Sequence, residues 1–127
     1  MTTLLERQLE ELRQVYPAGA NVTPLPSGGF LIEVNTVTLP QGWNKPTTSI
    51  RFIVPVGYPF AAPDCFWADS DLRIAPSSQP QATNFQPIPE VNAPGLWFSW
   101  HVQGWNPNRN NLVTYAKVIE QRLKELR

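Results

Sequence analysis

The stretch "IRFIVPVGYPFAAPDCFW", from Ile50 to Trp67, decides the fold. Its first residues are β-branched and aromatic and read as a strand, and "DCFWA" (Asp64 to Ala68) reads as the next one. Between them Pro59 and Pro63 fix the direction of the chain, while Tyr58 and Phe60 offer rings that can pin the loop to a core. Upstream, "FLIEVNTVTL" after the turn "PSGG" reads as a preceding strand, with Ser27 to Gly29 as a hairpin turn whose glycines supply positive φ angles. The spacing therefore predicts an antiparallel meander of three to four strands between about residues 22 and 68.

Helices flank the meander. Thr3 and Glu6 have capping-box spacing, and Leu5, Leu9, Leu12 and Tyr16 then recur at helical intervals until Pro17, which predicts a helix near residues 4 to 16. At the other end, Leu112, Tyr115, Ala116, Ile119, Leu123 and Leu126 share one face, which predicts a helix over 111 to 126 with Asn110 as its cap. Ala75 to Pro94 has five prolines and little periodicity and reads as a long irregular loop crossing the surface. This order is that of an α+β fold with helices on one side of a sheet, in a single domain over residues 1–127.

Composition excludes several function classes. Ten basic residues balance ten acidic ones, so no global field draws the chain to nucleic acid or to an anionic membrane, and neither is expected as a partner. One cysteine rules out an internal disulfide framework and suits a cytoplasmic location, and no window approaches the ~20 apolar residues of a membrane span. No cofactor, metal or phosphate-binding loop is expected: the sequence carries neither a Cys/His zinc spacing nor a nucleotide-binding glycine motif. Fourteen prolines, well above the usual ~5%, are spread among apolar runs and read as rigid loops.

The remaining candidates cluster late in the chain, where "LWFSWHVQGWNPNRNNL" holds Trp97, Trp100 and Trp105 around the sole histidine, His101. Indoles at alternating positions of an extended chain face opposite ways, so one face anchors the C-terminal helix and the other lines a groove. A hydrolase built on Ser99 and His101 lacks the glycine elbow that would present the serine. Asp64, Asp69 and Asp71 read as solvated or turn-capping groups rather than paired catalytic carboxylates.

The set "GYPFAAPDCFW" (Gly57 to Trp67), "PQAT" (Pro80 to Thr83), Ser99 to His101, and Trp105 and Pro107 followed by Arg109, Leu112 and Tyr115 resembles the ubiquitin-conjugating fold. Within it, the chain is most similar to the bacterial ubiquitin-conjugating-like group called prokaryotic family E. In that reading Tyr58, Pro59, Pro63, Trp105 and Pro107 are the structural motif, and Pro63 is the candidate cis-proline. The resemblance implies a ubiquitin-like protein, its activating enzyme, or both, as partners.

What the family's thioester chemistry needs is not where the motif places it. Conjugating enzymes carry their cysteine eight residues before the tryptophan of a "W-S-P" segment, and that position here is Trp97. Their His-Pro-Asn tripeptide corresponds to a region reading "NFQPIPEVN". An indole cannot be the nucleophile. Two readings follow: a binding module or adaptor using Trp97, Ser99 and His101, or a transferase using Cys65 as displaced acceptor with His101 as its base. Cys65 at the start of an apolar strand behaves first as a small buried hydrophobe, and Asp64 beside it raises the thiol pKa. His101 is either a hydrogen-bonded packing residue or a polar group of the groove.

Overall fold

Leu5, Leu9 and Leu12 are all buried on one face of α1 (Thr3–Val15), the first element of a computed structural model that describes residues 3–127. Six successive elements are strands, the first five being β1 (Ala20–Pro24), β2 (Phe30–Thr38), β3 (Thr47–Val54), β4 (Phe66–Ala68) and β5 (Thr83–Phe85). After them come β6 (Leu96–Phe98) and α2 (Leu112–Leu123). The α+β architecture is the one the sequence predicts. Thr3 is itself the first residue of α1 rather than its cap.

All strand pairs are antiparallel, and the sheet order is β1-β2-β3-β4-β6-β5. The β1–β2 turn closes at Gly28, whose φ of 102° belongs to the left-handed region and whose N–H donates to Leu25 O at 2.9 Å. In β3, Thr48, Ile50, Phe52 and Val54 are buried and alternate with half-buried residues, so one face of the strand is core. That face meets α1 and α2: Ile32, Ile50, Phe52, Phe66 and Phe98 share one apolar cluster with Leu9, Leu12, Tyr115 and Ile119.

The opposite face of the sheet is not bare. Leu25, Leu31, Trp67 and Ile88 form a second buried cluster, with Ile53, Ala93 and Trp97 packed against it. Ile88 and Ala93 belong to the crossing segment, which is therefore packed down rather than draped loosely. Glu90 clamps its tip, accepting from Ser27 N at 2.9 Å and Ser27 Oγ at 2.8 Å. Gly95 lets the segment run close to the indole, since a Cβ there would lie 2.9 Å from Trp67 Cδ1.

Four sequence expectations change. The stretch from Ala75 to Pro94 is not wholly irregular, because "TNF" forms β5 at the sheet edge; three residues backed by β6 suffice where local propensity offers nothing. The cap of α2 is Asn111, not Asn110: the Asn111 side chain accepts from Thr114 N, while the Asn110 side chain is used earlier, accepting from Asn106 N at 2.7 Å. The helix stops at Leu123, and Leu126 lies beyond it, because the Arg122 guanidinium donates to Glu125 O and Arg127 O and turns the chain back. Pro63 is not cis; the cis bonds are Tyr58–Pro59 and Ala75–Pro76. The tight reversal sits at Gly57 to Ala61, where Phe60 N and Ala61 N both donate to Gly57 O, and Pro63 lies beyond it. No helix among the described residues is long and apolar enough to cross a membrane.

Candidate functional site

The pairing of β4 with β6 sets Phe66 opposite Phe98, Trp67 opposite Trp97 and Ala68 opposite Leu96. Beyond the strand end, where Cys65 takes a positive φ, the pairing slips by one residue and sets Cys65 against Trp100 and Asp64 against His101. Cys65 N donates to Trp100 O at 2.9 Å, and His101 Nδ1 forms a short hydrogen bond with Asp64 Oδ1. A carboxylate oxygen of Asp64, the Cys65 sulfur and a His101 ring nitrogen all lie within 4.8 Å of one another.

The three groups differ in access. The side chains of His101 and Asp64 are 59% and 64% exposed, whereas Cys65 is only 9% exposed. Cys65 adopts a left-handed φ of 60°, a conformation that costs a non-glycine residue about 1 kcal/mol or more and persists only where neighbours enforce it. The enforcement is visible on both sides of the residue: its N–H is held by Trp100 O, and its carbonyl accepts from Tyr115 Oη at 2.7 Å. Burial pushes the Cys65 thiol above the ordinary cysteine range, and the negative charge of Asp64 adds to the effect; hydrogen bonds from the Trp100 backbone and the Trp97 side chain pull it part of the way back.

Trp97 sits on β6 with its side chain on the face opposite Leu96 and Phe98, half-buried against the second apolar cluster and in contact with the Cys65 thiol. Trp100 turns the other way, toward the C-terminal helix: the Arg122 guanidinium lies 5.4 Å from its ring centroid and that of Arg127 5.7 Å. Trp100 and Trp97 thus lie on opposite sides of the segment, the first toward the C-terminal helix and the second against the outer apolar cluster. Ser99 is half-buried between them, its N–H donating to Ala82 O at 2.8 Å.

The motif residues form a separate scaffold. Trp105 Nε1 donates to Pro59 O at 2.8 Å, and its ring packs on Tyr58 with centroids 5.9 Å apart. Tyr58 Oη in turn makes a short hydrogen bond to Gln8 Oε1 on α1, and the same oxygen accepts from Leu112 N at the start of α2. Pro63 is buried, and Pro107 sits within a turn that Asn106 closes by accepting from Asn110 N at 2.8 Å. This scaffold holds both helices and the Gly57 to Pro63 loop in place.

Sequence reading missed Asp64 as the partner of His101, and Tyr115 as the residue that fixes Cys65. Neither could be found without the tertiary fold, since 37 positions separate Asp64 from His101 and 50 separate Cys65 from Tyr115. Asp69, expected to be solvated or turn-capping, is networked with Lys45 and Ser49 and its side chain is only 26% exposed.

A family model described as prokaryotic E2 family E matches residues 15–126, from the end of the first helix almost to the last residue. No curated protein and no solved structure matches the chain.

Proposed function

The chain belongs to prokaryotic E2 family E, and from that membership we propose that it serves a bacterial ubiquitin-like pathway as a binding module for the ubiquitin-like protein or its activating enzyme. The observation that carries this reading is the state of the sole cysteine. Cys65 is only 9% exposed as a residue and its thiol is held above the ordinary range, whereas a thioester acceptor needs an accessible thiolate. The position eight residues before Trp105 is an indole. Trp97 then supplies an apolar contact, and the exposed His101–Asp64 pair supplies polar groups able to orient an extended C-terminal tail.

The test is calorimetric titration of the cognate ubiquitin-like protein and activating enzyme into wild type, Cys65→Ala, Trp97→Ala and His101→Ala. Binding that survives Cys65→Ala and weakens by about thirtyfold in Trp97→Ala or His101→Ala supports the module. Loss of the pathway in Cys65→Ala with folding and binding intact overturns it.

One observation favours a second reading. The Asp64–His101 pair beside Cys65 is an acid-oriented imidazole next to a thiol, the arrangement a displaced transferase would use. There His101 accepts the thiol proton, the Cys65 sulfur attacks the thioester carbonyl of the charged activating enzyme, and the activating enzyme's thiolate leaves. A reducible adduct of this chain, formed with activating enzyme, ATP and modifier and absent in Cys65→Ala, identifies this activity. Its absence with a charged activating enzyme present excludes it.

A further inference from the structure

Asp64, Cys65 and His101 carry three different donor types, and the fold gathers them at one point although the sequence separates the histidine from the other two. We propose that they form a three-ligand site for a divalent transition-metal ion of the zinc class, with a fourth position open to water or to a donor from a partner.

The donor chemistry selects the ion. A thiolate, an imidazole and a carboxylate suit zinc or cobalt, while magnesium and calcium prefer all-oxygen shells. Three protein ligands and one open position is the pattern of an accessible zinc site rather than of a closed structural one. The dimensions are within reach. Bond lengths of about 2.0–2.3 Å in a tetrahedron place ligand atoms roughly 3.5 Å apart. The three donors lie within 4.8 Å of one another, and the exposed side chains of Asp64 and His101, hydrogen-bonded to each other, are the two that must part to that spacing and turn toward the sulfur.

The fixed member of the set is the sulfur. Trp100 O and Tyr115 Oη hold the Cys65 backbone from both sides, so the thiol is positioned before any ion arrives. Both the Trp100 backbone and the Trp97 side chain direct hydrogen bonds at it. Donors so placed stabilise a thiolate ligand and orient it, as outer-shell groups do around metal sites. In the metal-free protein the Asp64–His101 hydrogen bond keeps two of the ligands together; on loading, the ion takes the place of the shared proton, which passes to the other ring nitrogen or to solvent, and the Cys65 thiol releases its own proton to solvent. A loaded site removes the Cys65 sulfur from thiol chemistry.

The experiment uses the full chain freed of metal by chelation and titrated with Co²⁺ and with Zn²⁺ alone, so it is independent of any pathway partner. One ion per chain is expected, with a thiolate-to-cobalt charge-transfer band and the intense visible bands of four-coordinate cobalt. Cys65→Ser abolishes the charge-transfer band, and Asp64→Asn and His101→Ala each weaken binding at least about tenfold. Asp64 and His101 are exposed, so these two variants keep the fold, which circular dichroism verifies. Absence of saturable binding, cobalt binding without the charge-transfer band, or unchanged affinity in His101→Ala overturns the proposal.

Discussion

Tyr115 Oη donates to the carbonyl oxygen of Cys65 at 2.7 Å, so the C-terminal helix directly holds the residue that carries the thiol. Tyr115 is 1% exposed, and its ring packs on Phe52 with centroids 5.0 Å apart. Tyr115→Phe keeps that packing and removes only the hydroxyl, leaving a buried carbonyl without this donor. The expected cost is about 1–2 kcal/mol, read as a fall of a few degrees in thermal melting. Because Cys65 is then less restrained in its left-handed conformation, alkylation of the thiol should also be faster than in wild type. Unchanged melting and unchanged alkylation together would show that the hydrogen bond fixes nothing.

Trp105 and Trp97 are expected to separate stability from binding. Trp105 bridges Pro59 O and Tyr58, and through Tyr58 and Gln8 it reaches both helices, so its removal loosens the whole loop from Gly57 to Pro63. Trp105→Ala should cost about 3 kcal/mol of folding stability. Trp97 is half-buried on the outer face of β6, opposite the helices, and Trp97→Ala should cost less than half as much while weakening partner binding. Denaturant unfolding of the two variants, with urea midpoints compared at equal slopes, decides the order; equal losses would mean that Trp97 is simply core.

How much of this was legible beforehand depended on how local the signal was. Both helices carry their own 3.6-residue periodicity, and β2 and β3 carry runs of β-branched residues, so all four were readable within a few residues. β5 is Thr-Asn-Phe, a triplet with no strand signal of its own, and exists because β6 offers an edge to pair with. The cap of α2 was ambiguous because Asn106, Asn108, Asn110 and Asn111 all have capping chemistry; only the observed geometry assigns Asn110 to the preceding turn and Asn111 to the helix. The same limit applies to the site. Cys65, Trp97 and His101 could be singled out by type, but the contact of Asp64 with His101 depends on the pairing of β4 with β6 and on a one-residue slip beyond it, which no spacing in the chain encodes.

Lys45 and Asp69 make stability depend on pH in a definable window. Lys45 Nζ lies 2.7 Å from Asp69 Oδ2 and 2.9 Å from Asp71 Oδ1, and Ser49 Oγ also donates to Asp69. Burial alone would raise the Asp69 carboxyl, but the hydrogen bonds from Lys45 and Ser49 outweigh it and hold it below the ordinary aspartate range. A depressed carboxyl contributes stability that is present above the unfolded value, about 3.9, and is lost as pH falls through the folded one. Hydrogen bonds to Asp69 and then Asp71 raise Lys45, so its share is complete below the ordinary lysine value of about 10.4 and is lost as pH rises beyond it. Asp69→Asn should therefore lower stability by roughly 1 kcal/mol at pH 7 and by progressively less toward pH 3. Urea unfolding at the two pH values checks this, and a pH-independent loss would contradict it.

The Cys65 thiol provides the most direct measure of whether the site is built for chemistry or for contact. A group whose ionised form is disfavoured by burial and by a neighbouring carboxylate stays protonated further up the pH scale than a free thiol, whose value is about 8.5. Iodoacetamide should consequently react with the folded chain more slowly than with a small free thiol at pH 7. Its rate should keep rising beyond the pH at which the free thiol has levelled off. The same shift means that folding stability is unaffected by this group below about pH 8.5 and declines as the pH is raised further, because the unfolded chain ionises the thiol more readily. Asp64→Asn removes one of the two causes and leaves burial, so its rate profile should move part of the way toward that of the free thiol. His101→Ala leaves Asp64 in place without its imidazole partner and should not move the profile toward the free thiol. An alkylation rate at neutral pH above that of a free thiol, or a profile levelling off below pH 8, would mean that the thiolate is stabilised in the fold and would shift the balance to the transferase reading.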